Sequence, residues 1–282
     1  MADTILIILQ ASAVASIFTY MFSRGLSVRP GDLRYLEKRP GLLLRSLLSI
    51  DVFVPLIAMM VIVLMVPARA TAIGLLILAS SPAAPLVLRK IAKAGGSKEY
   101  AVSLHILLAA LAIVTTPATL ALLSEAASLR LGISSLAVAE QLGLSILVPI
   151  MAGMTLRWLF PALAQRISGP LEALSNVVLA LVILIVLLSM YPLLLALDIR
   201  SYLAITLMIS GAVLAGHLMA AGSPEEQTTL ALESSSRNVG LALVIASTYA
   251  PLENALPILV PYLVISTFLG LIYIRYQKRR MV

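Results

Sequence analysis

Residues 231–240 read ALESSSRNVG, so six consecutive polar residues, from Glu233 to Asn238, lie between apolar arms. On a continuous helix they would cover more than one turn, and some of them would be forced onto an apolar surface at high cost. A break in the helix within this run, bounded by Gly240, avoids that cost, because unwound backbone and polar side chains then line a cavity. If the helix is continuous instead, Glu233 and Arg237 stand four residues apart in the order that favours an ion pair.

A second interruption occurs at residues 80–85, which read SSPAAP. The two prolines, Pro82 and Pro85, remove two backbone donors and clash with preceding carbonyl groups, so a helix that contains Ser81 breaks or kinks here. A single proline would indicate only an ordinary kink. The two interruptions, however, occupy corresponding places in the two halves of the chain, which is typical of the binding site of an inverted-repeat membrane transporter.

The composition requires a membrane environment. Of the 282 residues, 61% are hydrophobic and 12% are charged, whereas soluble domains have about 45–50% apolar and about 25% charged residues. This excludes a cytosolic enzyme, a nucleic-acid-binding module and a disordered chain. The chain contains no cysteine, which excludes disulfides, thiolate metal sites and cysteine-based catalysis. A Ser/His hydrolase built from Ser234–Ser236 and His217 lacks the spacing of a nucleophile elbow or a triad, so we expect no enzyme activity.

Nine segments have the roughly 20 apolar residues that a transmembrane helix requires, so the predicted fold class is an all-α polytopic membrane protein. The short connections between these segments predict one compact transmembrane domain over residues 1–282. The predicted spans are residues 4–23, 41–66, 70–90, 99–123, 136–160, 170–197, 201–221, 226–250 and 255–275.

The positive charges predict the orientation of these spans. With nine spans and the C-terminus inside, fifteen of the twenty Lys and Arg residues fall on the inner side and three on the outer side. This asymmetry follows the positive-inside rule and predicts an outer N-terminus in the inner (cytoplasmic) membrane. The first residues, MADT, carry no positive charge, so residues 4–23 are predicted to be a retained span rather than a signal peptide. The two remaining basic residues, Arg45 and Arg237, lie within spans.

Three other ionisable residues lie at or near membrane depth. Asp51, four residues before Pro55 in the second span, is either a proton-titrating acid or a structurally paired one. His105 and His217 have no neighbour at ligand spacing. Each is therefore predicted to form an interhelical hydrogen bond rather than to bind a metal.

Three motifs carry a resemblance to a known family. Residues 21–32 read MFSRGLSVRPGD, residues 81–85 read SPAAP, and residues 233–242 read ESSSRNVGLA. They resemble, in this order, the MF-x-x-GL-x-L-x-x-x-D segment, the C-P-G-G-T-x-S-N crossover and the E-x-G-x-Q-N-x-G-L-A crossover of the bile acid:sodium symporter family. Their order and spacing extend the resemblance over essentially the whole chain.

The resemblance implies a fold of two inverted five-helix repeats, in which the fourth and ninth helices are broken and cross. This chain is expected to lack the first helix, which leaves nine spans and an outer N-terminus, as the charges also predict. The resemblance further implies a panel-like part, residues 4–23 and 136–197, and a core-like part, residues 41–124 and 201–278. Substrate would bind between the two parts near the crossing, with alternating access by their relative movement.

The chain departs from the family at the positions that hold sodium there. Of the family's polar ligands only Glu233 is kept; the motif Gln is replaced by Arg237, and the first-crossover Ser-Asn aligns with residues 87–88, Val-Leu. The Gln expected in the second span falls near Ile50, with Asp51 beside it. A hard cation needs several oxygen ligands, so we expect no metal. Arg237 is expected to replace the cation and pair with Glu233, or to bind an anionic substrate through its bidentate fork.

We therefore predict a secondary-active transporter of small organic anions that has no cofactor and does not use the family's two-sodium coupling, with a proton as the other candidate ion. The alternatives are a sodium-coupled bile-acid-type symporter, a uniporter or proton-coupled carrier similar to auxin-efflux relatives, and a transport-inactive membrane sensor or scaffold. An arsenite carrier is disfavoured because its cysteine is missing. Predicted partners are the organic anion and the lipid bilayer, with no nucleic acid; a homo-oligomer is left open.

The predicted substrate- or ion-binding residues are Glu233, Ser234, Ser235, Ser236, Arg237, Asn238 and Asp51, and the predicted helix breaks involve Ser81, Pro82, Pro85 and Gly240.

Overall fold

The structure, a computed structural model, describes residues 2–28, 31, 34–84, 86–129, 135–189, 197–249 and 252–280. Within these ranges the regular elements are helices, which confirms the predicted all-α fold. They are α1 (Ala2–Ser27), α2 (Arg34–Glu37), α3 (Pro40–Leu47), α4 (Val54–Met65), α5 (Arg69–Ser80), α6 (Val87–Ala94), α7 (Lys98–Ala126), α8 (Ser135–Leu142), α9 (Val148–Leu159), α10 (Pro161–Ser189), α11 (Ile199–Ala220), α12 (Pro224–Ser235), α13 (Val239–Tyr249) and α14 (Leu252–Arg280).

Each predicted span is helical over most of its described length. The spans predicted at 70–90 and 226–250 are each divided into two half-helices, α5 with α6 and α12 with α13. Residues 190–196 and 250, at the ends of two predicted spans, lie outside the described residues. Five helices or joined helices of the described chain are long and apolar enough to cross a membrane, namely Pro40–Met65, Lys98–Ala126, Leu136–Leu159, Ile199–Ala220 and Ile258–Arg280.

Two spans contain a π-helical turn just before a proline. In the second span the turn covers Leu48–Phe53 and precedes Pro55, and in the fifth it covers Gly143–Leu147 and precedes Pro149. Proline has no N–H for the carbonyl four residues earlier, so the bonding pattern widens locally to one between residues five apart. The helix thereby continues through the proline, and Asp51 lies on the widened turn of the second span.

Twelve of the fourteen helices described above pack as two groups. α1 lies along α9 and α10, and we call these three helices the three-helix layer. Gly25 lets the backbones of α1 and α9 touch, because a Cβ atom there would collide with the carbonyl oxygen of Ile150. The second group, which we call the crossover bundle, comprises α3–α7 and α11–α14 and contains both broken helices.

The half-helices that enter the breaks lie at the centre of the crossover bundle. Residues Thr71–Ser80 of α5 and Thr228–Ser235 of α12 are all buried, as expected of helices surrounded by others on every side. Large apolar side chains at the periphery are instead exposed, with Leu136 at 78% and Trp158 at 81%. The polar residues of the second break are therefore held inside the protein, and apolar residues face outward.

Candidate functional site

The two helix breaks bind each other through their backbones. The N–H of Ala84 donates to the carbonyl oxygen of Ser236 at 2.6 Å, and the N–H of Asn238 donates to that of Pro82 at 2.9 Å. Ala83 and Arg237 form the single antiparallel bridge between these hydrogen bonds. Each break thus satisfies backbone groups that the other would leave unpaired in an apolar interior. The prediction of two broken helices that meet is confirmed.

The second break is shorter than predicted. Ser234 and Ser235 belong to the last turn of α12, and the unwound residues are Ser236–Asn238. The helix restarts early because the side-chain oxygen of Asn238 accepts a hydrogen bond from the N–H of Leu241 at 3.0 Å, as an N-cap does. The prediction that Gly240 belongs to the break is wrong, since it lies in the first turn of α13.

The first break begins where predicted. Ser81 has extended backbone at the end of α5, and its hydroxyl donates back to the carbonyl of Ile77 at 2.8 Å. Pro82 follows it in the unwound segment and is buried. Pro85 lies outside the described residues, so its predicted part in the break stays a prediction. Since Pro82 has no N–H, it cannot bond the carbonyl of Leu78 four residues earlier.

The guanidinium of Arg237 supplies donors to this helix end. Its Nε donates to the carbonyl of Leu78 at 3.2 Å, and its Nη2 donates to the carbonyl of Ala79 at 2.5 Å and to that of Ile50 at 3.5 Å. The last carbonyls of a helix carry partial negative charge. The carbonyl of Leu78 also accepts from the N–H of Ser81 at 3.1 Å, so the guanidinium is its second donor. Arg237, which is 2% exposed, is therefore a cationic cap on α5 that reaches it from the opposite break.

Tyr262, which was not among the predicted site residues, forms hydrogen bonds with the backbone of the second break. The hydroxyl of Tyr262 accepts from the backbone N–H of Arg237 at 3.1 Å and donates to the carbonyl of Ser235 at 2.7 Å. Tyr262 is 1% exposed. Its position in the ninth span is the signal that could have identified it, because a buried tyrosine usually finds a partner for its hydroxyl.

The expected ion pair between Glu233 and Arg237 is wrong. Among the described residues the ionisable side chain within 4 Å of Glu233 is His105, whose Nδ1 lies 3.6 Å from Oε2 of the carboxylate. Glu233 is fully buried and His105 is 5% exposed. Because α12 ends at Ser235, Arg237 no longer stands one helical turn above Glu233, and its donors turn to carbonyl groups instead.

His105 and His217 differ in the hydrogen bonds that their Nδ1 atoms form. Nδ1 of His105 has no hydrogen-bond partner within the described chain, so the interhelical hydrogen bond predicted for it is not formed by this nitrogen. His217 does form one: its Nδ1 lies 2.8 Å from the hydroxyl of Tyr273 on α14. His105 is therefore the functional candidate of the pair, because it faces a buried carboxylate.

Several polar atoms near the crossing are buried without a hydrogen-bond partner in the described part of the chain. The hydroxyl of Ser234 is bonded to that of Ser49 at 2.9 Å, and the hydroxyl of Ser235 to the carbonyl of Ala231 at 2.8 Å. The atoms without a partner are Ser80 Oγ, Ser236 Oγ, Arg237 Nη1, Asn238 Nδ2 and both carboxylate oxygens of Glu233. Since buried polar groups in native proteins are nearly always bonded, such a concentration is typical of a ligand site.

Asp51 approaches the same site from the second span. It is partly exposed on the π-helical turn, and it interacts electrostatically with Arg237. The carbonyl of the preceding residue, Ile50, is one of the acceptors of the guanidinium. The second span thus contributes to the crossing as the sequence indicated.

A cavity of about 720 Å³ opens between the three-helix layer and the crossover bundle. Its basic side chains are Arg24, Arg34, Lys38 and Lys98, and Glu99 is its acid. His105 also lines the cavity, so one residue contacts both the cavity and Glu233. Tyr35 at the wall donates to Glu226 at 2.7 Å, and burial together with this hydrogen bond raises the pKa of Tyr35. The cavity therefore extends from basic side chains to His105, which faces the buried carboxylate of Glu233.

Comparison with known proteins agrees with the resemblance seen in the motifs. The family model described as the sodium bile acid symporter family matches residues 14–197. This range includes the first break and ends before the second. No curated protein matches the chain.

Proposed function

The chain belongs to the sodium bile acid symporter family, and we propose that it is a secondary-active transporter of small organic anions that works without two-sodium coupling. Members of this family are multi-pass membrane transporters, not enzymes. The proposed substrate class, coupling ion and membrane go beyond what family membership shows.

The cationic cap formed by Arg237 carries the proposal. Carbonyl oxygens at a helix C-terminus and in a neighbouring span are the kind of ligand that a hard cation takes. Here the carbonyls of Leu78, Ala79 and Ile50 accept from the guanidinium instead. The guanidinium of Arg237 thus supplies, from the chain itself, the positive charge that a bound cation would bring to these carbonyl groups.

A second cation beside Arg237 would be strongly disfavoured. At a separation of about 4 Å and an effective dielectric constant of about 20, two unit charges repel by roughly 4 kcal/mol. That energy weakens binding by roughly a thousandfold. Sodium at the crossing would also have to displace donors that already satisfy the carbonyl groups.

The cavity supports an anionic substrate. Its lining combines four basic side chains with one acid, and a positive cleft attracts anions and raises their local concentration. We take the three-helix layer as the panel and the crossover bundle as the core, with the substrate between them and alternating access by their relative movement. We place the N-terminus on the outer side because of the distribution of positive charge, and we propose the inner (cytoplasmic) membrane as the location.

Two carboxyl groups are available for coupling to a proton. Asp51 is partly exposed and interacts electrostatically with Arg237, and Glu233 is reached from the cavity through His105. If a proton gradient drives uptake through Asp51, the Asp51→Asn variant loses the dependence of uptake on that gradient and keeps substrate binding.

Uptake of cholate into proteoliposomes tests the proposal. The unmodified chain should take up cholate at equal rates whether sodium or potassium is outside, and Arg237→Lys should slow uptake because a lysine lacks the planar fork. Arg45→Lys is the matched control, since Arg45 is exposed in the last turn of α3. Uptake that requires sodium and is abolished by Glu233→Gln would refute sodium independence. Cholate that stabilises the protein to heat without entering the vesicles would indicate a sensor.

A further inference from the structure

Glu172 lies between two arginines that belong to different groups of helices. Its Oε1 accepts from Nη2 of Arg24 at 2.9 Å, and Nε of Arg89 lies 3.6 Å from the same oxygen. Arg24 and Glu172 are on α1 and α10 of the three-helix layer, whereas Arg89 is on α6, the half-helix that follows the first break. One carboxylate oxygen thus faces both the layer and the crossover bundle.

Arg24 makes further contacts besides this ion pair. Its Nε donates to the hydroxyl of Tyr20 at 2.7 Å, and its guanidinium stacks over the Tyr20 ring at 4.8 Å from the centroid. Tyr20 is 2% exposed. Arg24 also lines the basic cavity. A fixed guanidinium at a cavity wall suits the planar, bidentate recognition of a carboxylate.

We propose that Arg24 is an anion-binding residue of the cavity, and that an organic anion bound there transfers Glu172 from Arg24 to Arg89 and so closes the layer onto the crossover bundle. The inference rests on the proposed function, because it requires an anionic substrate between these groups of helices. The ligand is identified by its chemistry as a carboxylate or a similar oxyanion.

The geometry gives this transfer a direction. In the structure Glu172 is hydrogen-bonded within the layer, and its separation from Arg89 exceeds that of a hydrogen bond. An anion at Arg24 neutralises the guanidinium that holds Glu172 and repels its carboxylate. Arg89 is then the nearest described cation for that carboxylate, and its half-exposed side chain can follow without breaking a buried pair.

The absence of cysteine from the chain allows two spin labels to report the movement. Leu174→Cys on α10 and Ala92→Cys on α6 place labels at exposed positions of the two groups. Electron paramagnetic resonance on the purified protein then gives the separation of the labels. In this labelled background Arg24→Gln removes the competitor for Glu172, so we expect a shorter separation without any ligand. Arg45→Gln, which changes an exposed arginine of α3 that does not line the cavity, should leave the separation unchanged.

A second substitution, Glu172→Gln, and the addition of cholate test whether the carboxylate of Glu172 and a bound anion cause the change in separation. Adding Glu172→Gln to Arg24→Gln should abolish the shortening, because the carboxylate is the element transferred. Cholate should shorten the separation when Arg24 and Glu172 are both present, and its uncharged methyl ester should not. If Arg24→Gln leaves the separation unchanged or lengthens it, the transfer is refuted whatever the uptake assay shows. If Arg24→Gln shortens it and no anion is taken up, the proposed function fails and the ion-pair transfer stands.

Discussion

The two helix breaks at the centre of the protein differ in what they offer each other. The first offers mainly acceptors, namely the carbonyls of Leu78 and Ala79 at the end of α5 and that of Pro82, and one donor, the N–H of Ala84. The second offers mainly donors, the guanidinium of Arg237 and the N–H of Asn238, and one acceptor, the carbonyl of Ser236. The break made by proline thus has an excess of acceptors, and the break that contains arginine supplies additional donors. Neither half of the crossing is complete without the other.

The breaks also differ in charge. The described residues of the first break, 81–84 and 86, include no ionisable side chain, whereas the second contains Arg237 and begins three positions after Glu233. Removing the charged group of the second break should therefore lower the free energy of unfolding more than substitutions that remove only neutral hydrogen bonds.

The largest effect is expected from Arg237→Gln. It removes the guanidinium donors of three carbonyl groups in the first break and the second span. Each buried group left unpaired costs about 1–3 kcal/mol, so we expect a total loss of roughly 3–5 kcal/mol. The free energy of unfolding in detergent micelles measures it. Arg45→Gln, an exposed arginine, should stay within about 0.5 kcal/mol of the unmodified chain. Equal effects of the two substitutions would show that the guanidinium does not hold the breaks together.

A smaller effect is expected from Tyr262→Phe. The change removes the hydroxyl that bonds the N–H of Arg237 and the carbonyl of Ser235, and each buried group left unpaired costs about 1–3 kcal/mol. The same unfolding measurement applies. Tyr276→Phe makes the identical change on the same helix at a side chain that is 52% exposed, so it should be nearly neutral. If Tyr262→Phe leaves the free energy of unfolding unchanged, the hydrogen bonds of the Tyr262 hydroxyl do not stabilise the second break.

The smallest effect is expected from Asn238→Ala, which removes the N-cap of α13 and should cost about 1 kcal/mol of unfolding free energy. Asp198 forms the corresponding cap on α11, where its carboxylate accepts from the N–H of Ser201 at 3.1 Å. Asp198 is exposed, so Asp198→Ala should destabilise the protein less than Asn238→Ala. The reverse order would show that burial at the crossing does not strengthen the cap.

The positions of the helices and of both breaks could be predicted because their causes are local. Long apolar runs form helices in a membrane, the proline at position 82 ends α5, and the polar run at 233–238 ends α12. The exact ends of the second break could not be predicted. They depend on the side chain of Asn238, which caps α13 and returns Gly240 to a helix.

The partners within the site could not be predicted, because they are distant in sequence or carry no side-chain signal. Arg237 binds carbonyl groups of Leu78 and Ala79, and a backbone carbonyl looks the same at every position of a sequence. His105 meets Glu233 across 128 positions of the chain. The expected pairing of Glu233 with Arg237 assumed a continuous helix, and the same break that the sequence predicted removes the spacing on which that pairing depended.

The covalent attachment of Arg237 has a thermodynamic consequence. A bound ion stabilises its site by mass action, so its contribution rises and falls with the concentration of that ion on each side of the membrane. A guanidinium that belongs to a covalently attached side chain has no such concentration, and its contribution to the crossing is constant. It also cannot dissociate on the far side, so it carries no free energy from one compartment to the other. Whatever drives a cycle of this protein must enter with the substrate or with another ion.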